Sequence, residues 1–180
     1  MDKEEKFINL LGKISKLPIT KFIVTPISWV FSPFFFLALR NPEFKSMYTL
    51  MKIEKLESRD KISEARELRN RVLKNRRVAK FPELWVSKGK DLLYRKNMYS
   101  HALLAFNKAI KINPDYNPIQ MYYGAACSAI CCGQYKLAQI YHEKFNNWWD
   151  KYMRDPRLHG YYFTNYLGCK NWLDKKMKSF

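Results

Sequence analysis

Glycine is scarce in this chain: 6 residues in 180, none beside another. No glycine-rich phosphate loop can be built from them, which removes the nucleotide-binding fingerprints. The 4 cysteines form no CxxC pair, so zinc-ribbon and redox spacings are missing as well. Only 3 histidines occur, His101, His142 and His159, on separate predicted helices. No serine or acid stands at a spacing that marks it as their catalytic partner. Runs of alternating β-branched residues are also scarce, which argues against a sheet. The opening MDKEEK, acid-rich within five residues, fits neither a secretory signal nor an Arg-rich transit peptide. The expectation is a non-enzyme with no catalytic residue, no cofactor, no metal site and no small-molecule substrate.

Acidic residues are short too, 16 against 33 Lys and Arg, which leaves +17. Such an excess opposes compaction and favours a polyanionic partner: anionic lipid head groups, RNA or an acidic protein surface. A lysine-rich solvated surface is the plainer alternative. What the chain has in quantity is apolar and aromatic mass: 47% hydrophobic, with 12 Tyr, 12 Phe and 5 Trp, enough to build a core. Cys127, Cys131 and Cys132 crowd into one predicted helix, poor geometry for a disulfide framework, so a reducing compartment fits. Cys127 and Cys131 share a helical face and, with His142 or His159, offer zinc donors in principle. Buried structural cysteines are the favoured reading.

Three segments are expected. Residues 1–42 form an N-terminal membrane-contacting part, with an amphipathic helix over 1–21 and then Phe22–Leu39, 18 residues without a charge. As a helix that run rises about 27 Å, close to the ~30 Å of a bilayer's hydrocarbon. Pro26 and Pro33 predict a kinked or partly extended segment. Phe22, Ile23, Trp29, Phe31, Phe34, Phe35, Phe36 and Leu37 are the candidate membrane contacts; the alternative is an arm buried in a protein groove. Residues 43–81 form a basic helical segment, in which Arg66, Arg69, Arg71, Lys74, Arg76, Arg77 and Lys80 face one acid, Glu67. These are the candidate contacts to an anionic partner, although arginine stems covering apolar neighbours would look the same. Glu54/Glu57 and Glu64/Glu67 read as surface ion pairs.

Residues 82–180 are the helical domain. Ala102, Leu103, Ala105, Phe106, Ala109 and Ile110 recur at helical spacing, and Asn113-Pro114 stops the pattern. Upstream, Tyr94 and Tyr99 flank a polar turn, Arg95-Lys96-Asn97. Tyr99, Ala102, Phe106 and Ala109 are echoed 36 positions later by Tyr135, Ala138, His142 and Phe145, and Asn97 by Gly133. Asp155-Pro156 breaks the chain before a last helix over Leu158–Met177. Ala102, Phe106, Ala109 and Pro114 resemble the second-helix pattern of a tetratricopeptide repeat, over about residues 83–148 and most closely over Tyr94–Pro114. His142 and Phe145 depart from it, and Trp85 and Gly89 lie one residue early.

The resemblance implies an all-α fold: a short TPR-like α-α superhelix of about two helix pairs and a C-terminal capping helix, with an N-terminal apolar extension. It also implies a concave face that takes a partner segment, with Tyr94, Met121, Tyr122 and Cys127 as candidate lining residues. The functional expectation is a non-catalytic scaffold or accessory subunit that binds other proteins within a large membrane complex. A mitochondrial, respiratory-type inner-membrane setting is the best fit. The alternatives are a structural subunit of a ribosome or other ribonucleoprotein, and a soluble cytoplasmic chaperone or inhibitor of an acidic partner. Trp148, Trp149, Tyr152, Tyr161, Tyr162, Phe163, Tyr166 and Trp172 exceed what one helix pair hides, so some are expected at an interface.

Overall fold

The structure, a computed structural model, describes residues 40–179. The expected amphipathic segment and the apolar run Phe22–Leu39 lie outside the described residues. Those described form seven α-helices and one 3-10 turn, with no strand among them: the fold is all-α. The helices are α1 (Pro42–Glu57), α2 (Ile62–Leu73), α3 (Pro82–Tyr94), α4 (Tyr99–Ile112), α5 (Pro118–Cys131), α6 (Tyr135–Arg154) and α7 (Pro156–Met177), with the 3-10 turn at Val78–Lys80.

Proline sets several of the starts. Pro82, Pro118 and Pro156 each occupy the first turn of a helix, where a missing N–H costs nothing and φ is already helical. Asp155 caps α7, its carboxylate accepting from the Arg157 backbone N–H at 3.0 Å. The turns between paired helices share one geometry. Asn97 (φ +52°) precedes α4 and Gly133 (φ +71°) precedes α6, so both occupy the left-handed region. Asparagine and glycine are the residues that enter it at least cost. The 36-residue echo in the sequence is thus also an echo in the backbone.

Packing is sequential. α3 lies on α4, α4 on α5, α5 on α6 and α6 on α7, while α3 also meets α5 and α5 meets α7. The middle helix is therefore enclosed, and ten of the 14 residues of α5 are buried. Its small side chains make this possible. The ring of Phe106, fully buried on α4, occupies the space beside Gly89 of α3 and Gly124 of α5. A Cβ at Gly89 would stand 2.8 Å from that ring, and one at Gly124 closer still. In the second hairpin the large and polar positions are exchanged. Phe145, four residues beyond Tyr141, is fully buried and stacks on Trp149 with centroids 6.1 Å apart. His142 instead faces α7, where its Nε2 lies 2.6 Å from Asp174 Oδ1 and Lys170 Nζ holds the other carboxylate oxygen at 2.6 Å.

The segment 43–81 does not stand apart from the later helices, because the residues from Lys45 onward form one compact unit. Ser46 donates to Glu83 at 2.6 Å, joining α1 to α3. The expected basic helix reaching Lys80 ends instead at Leu73. Asn75 turns the chain there, its side chain accepting from Arg77 N–H at 3.0 Å and its carbonyl from Val78 and Ala79.

The Phe106 arrangement reverses a general rule. Glycine-to-alanine inside a helix normally stabilises by roughly 1 kcal/mol, but here the methyl meets a packed ring. Gly89→Ala and Gly124→Ala should each destabilise by about 1–3 kcal/mol in urea titration. Combining either with Phe106→Leu should cost less than the sum of the single changes.

Candidate partner-binding groove

A concave surface runs along the side where α3 meets α5 and α5 meets α7. It holds about 380 Å³. α1 contributes Leu50, Glu54 and Glu57; α3 contributes Glu83, Val86, Ser87, Lys90, Asp91 and Tyr94. Arg95, Tyr116, Asn117, Gln120 of α5, and Tyr161 and Tyr166 of α7 complete the wall. Gln120 donates to the Tyr166 hydroxyl at 3.2 Å, which fixes that tyrosine over α5. The Tyr161 and Tyr166 rings lie 6.4 Å apart and tilted. Tyr116 sits near two carboxylates: burial first, then Glu83 and Glu54, push its hydroxyl pKa up. Asn117 adopts φ +37° at the start of α5, and its Oδ1 is buried with no hydrogen-bond partner among the described residues.

Beneath this groove lies a charged network. Arg69, 1% exposed, donates to Glu57 of α1 at 2.6 Å and to Ser87 of α3 at 3.0 Å, and stands 3.5 Å from Asp91. Arg66 grips Asp91 with two bonds of 2.8 and 3.1 Å. Arg95 reaches Glu57 at 2.6 Å. Burial alone would raise the Asp91 pKa, but Arg66, Arg69 and Arg95 outweigh it and hold the carboxyl below its ordinary 3.8.

The residues singled out from the sequence are scattered. Tyr94 lines the groove with 57% of its surface open. Met121, Tyr122 and Cys127 do not, being 0, 4 and 5% exposed. α5 is covered on several sides, and the position it turns to the groove is Gln120, one residue out of phase with the expectation. Arg69 is an interior cross-link and presents nothing to an anion. Arg66 is committed to Asp91, and Arg71 to Glu67. Lys74, Arg76, Arg77 and Lys80 are exposed. A second, outward pocket of about 390 Å³ joins Arg66, Lys88, Lys96 and His101 to Trp85, Met98 and Leu104. Leu104 is 67% exposed there, and Lys88 Nζ lies 5.6 Å from the Trp85 ring. Of the C-terminal aromatics, Trp149 is buried, whereas Tyr161, Phe163 and Trp172 are exposed.

No group of three His, Cys, Asp or Glu among the described residues is placed to hold a metal. The four cysteines are free thiols. Burial, with a smaller contribution from Cys131 and Cys169, pushes the Cys127 pKa up to about 12 despite a hydrogen bond with Tyr123. Among the described residues no helix is long and apolar enough to cross a membrane. Comparison with protein-family models, curated proteins and solved structures found no match for this chain.

Two outcomes are expected. Asp91→Asn should destabilise by about 3 kcal/mol, because buried Arg69 loses its buried counter-charge and keeps only half-buried Glu57. A carboxylate with a depressed folded pKa stabilises fully above its unfolded value and loses that contribution as pH falls through the folded one. Wild-type stability should therefore decline below about pH 4. The Asp91→Asn variant, lacking that titration, should show a shallower acid limb in urea midpoints. Separately, burial and Cys132 raise the Cys131 pKa too, but its exposure should let a thiol reagent at pH 8 modify it ahead of Cys127, which should stay unmodified until the protein unfolds, as read by peptide mass mapping.

Proposed function

We propose that this chain is a non-catalytic scaffold or accessory subunit whose helical hairpins form a short TPR-like α-α superhelix, with α7 as the capping helix. The sequential packing, the 36-residue spacing of the Asn97 and Gly133 turns and the α3–α5–α7 side support that arrangement. The groove on that side carries the reading. It has open tyrosines at Tyr94 and Tyr161, no converging nucleophile and base, and room for one or two side chains of a partner segment. The partner is another protein subunit. The address is set by Phe22–Leu39, in or against a membrane such as the mitochondrial inner membrane, with the exposed cations near anionic head groups.

The test is capture from native membranes with the tagged full chain. Tyr94→Ala with Tyr161→Ala should lose the captured subunit while thermal unfolding stays within a few degrees of wild type. Retention of that subunit would refute the groove. Deleting residues 1–40, which leaves α1 to α7 whole, should release the protein from membranes; continued retention would refute the anchor. The ribonucleoprotein reading draws on Lys74, Arg76, Arg77 and Lys80, exposed cations with no ion pair among the described residues. It calls for RNA association that falls steeply with salt, whereas the membrane reading calls for detergent-dependent extraction.

A further inference from the structure

The second helices of the two hairpins repeat one surface pattern. Leu104 of α4 and Ile140 of α6 stand at the 36-residue spacing of the Asn97 and Gly133 turns, and are 67% and 49% exposed. One turn further on, Lys108 and Lys144 keep the same register, both exposed. The Tyr141 hydroxyl donates to Asn107 Oδ1, which holds α6 beside α4 at this level. At about 100° per residue, Lys136, Ile140, Lys144, Lys151 and Arg154 fall within about 40° of one line along α6, a stripe roughly 27 Å long. α4 adds Lys108 and Lys111 and carries no acid. None of these six cations has an ion pair among the described residues. Two acids, Glu143 and Asp150, flank the stripe about 60–80° off its line, so the face stays strongly positive. The outward pocket beside Leu104 continues it with Lys88 and Lys96, and the one acid there, Asp91, is already taken by Arg66 and Arg69. No residue of α4 or α6 lines the groove.

We infer that the α4–α6 face lies on an anionic lipid surface, with Leu104 and Ile140 entering the head-group layer and the lysines around them meeting lipid phosphates and carboxylates. This rests on the membrane setting proposed above and adds the face of the helical domain that meets the lipid; the groove plays no part in it. Charge complementarity is the first ground: the cations are unneutralised and run along two helices instead of gathering round one point. The second is what they surround. Aliphatic side chains set among lysines are the composition by which helices lie at a bilayer interface, the apolar tips sinking to head-group depth while the long cationic stems reach back to water. Nucleic acid would instead call for open rings on which bases stack. The ring beside the stripe, Trp148, has Lys151 Nζ 4.2 Å from its centroid.

The test maps lysines on the full chain, reconstituted with vesicles of phosphatidylcholine alone or with phosphatidylserine added, using a water-soluble acetylating reagent and mass spectrometry. Phosphatidylserine should slow acetylation of Lys108 and Lys144 about fivefold at low salt, and the effect should fade at high salt. Lys90, exposed in the groove, should react alike with both vesicles. Leu104→Ser with Ile140→Ser removes no buried group and should return Lys108 and Lys144 most of the way to their rates on neutral vesicles, with circular dichroism checking the fold. Equal rates on the two vesicles would overturn the inference. So would phosphatidylserine protection confined to Lys74 and Lys80, or protection that the serine pair leaves intact. Protection by a single-stranded RNA oligonucleotide or a polyglutamate peptide, but not by the vesicles, would overturn it too by making a different polyanion the occupant. At high salt the face lets go, so the deletion of residues 1–40 read there reports on the anchor alone. Release in that experiment with equal lysine rates in this one would leave the anchor standing and refute only the face.

Discussion

A single aromatic ring holds the helical layers at their spacing. Phe106 projects from α4 into the gap left by two absent side chains, Gly89 on α3 and Gly124 on α5. Interhelical distance is set by what lies between the axes, so this ring fixes how closely three helices approach. The groove follows from it. α3 and α5 can meet along one side only because Phe106 and the small residues of α5 fill the other without pushing the axes apart.

The second constraint is electrostatic. Arginine is rarely buried unless paired, and Arg69 is buried where Glu57 and Asp91 converge. That choice draws acids from α1 and α3 to one place and fixes α2 against both. Removing an isolated guanidinium from water is expensive, and only such pairing makes it tolerable. The acids that satisfy Arg69 also line the groove, so stability and groove chemistry share residues there.

Much of this was legible in the sequence, and the limits have physical causes. The α4 periodicity, the Asn113-Pro114 stop, the Asp155-Pro156 break and the Asn97/Gly133 echo are local signals carried by residues that restrict φ or forbid helix. They place the helices to within a residue or two. The lining of the groove was harder. One and two residues along α5 are about 100° and 200° of rotation, enough to send Met121 and Tyr122 into the core and leave Gln120 on the wall, whereas Cys127, two turns beyond Gln120 on nearly the same face, is buried among the neighbouring helices. The fate of Arg69 had no local mark at all. Its partners lie 12, 18 and 22 residues away in sequence, at Glu57, Ser87 and Asp91, and only the packing of α2 between α1 and α3 brings them together. Density of positive charge pointed to Arg66–Lys80 as a surface, whereas an asparagine at 75 ended the helix and left only its last residues free.

α3 separates two electrical environments across its own width. Lys88, Leu92 and Trp85 turn toward the outward cationic pocket, while Glu83, Val86 and Tyr94 turn toward the groove. A charge distribution of this kind has a direction as well as a magnitude. On α3 that direction runs from the flank bearing Lys88 toward the wall bearing Glu83, so substitutions of equal charge on its two sides act oppositely on it.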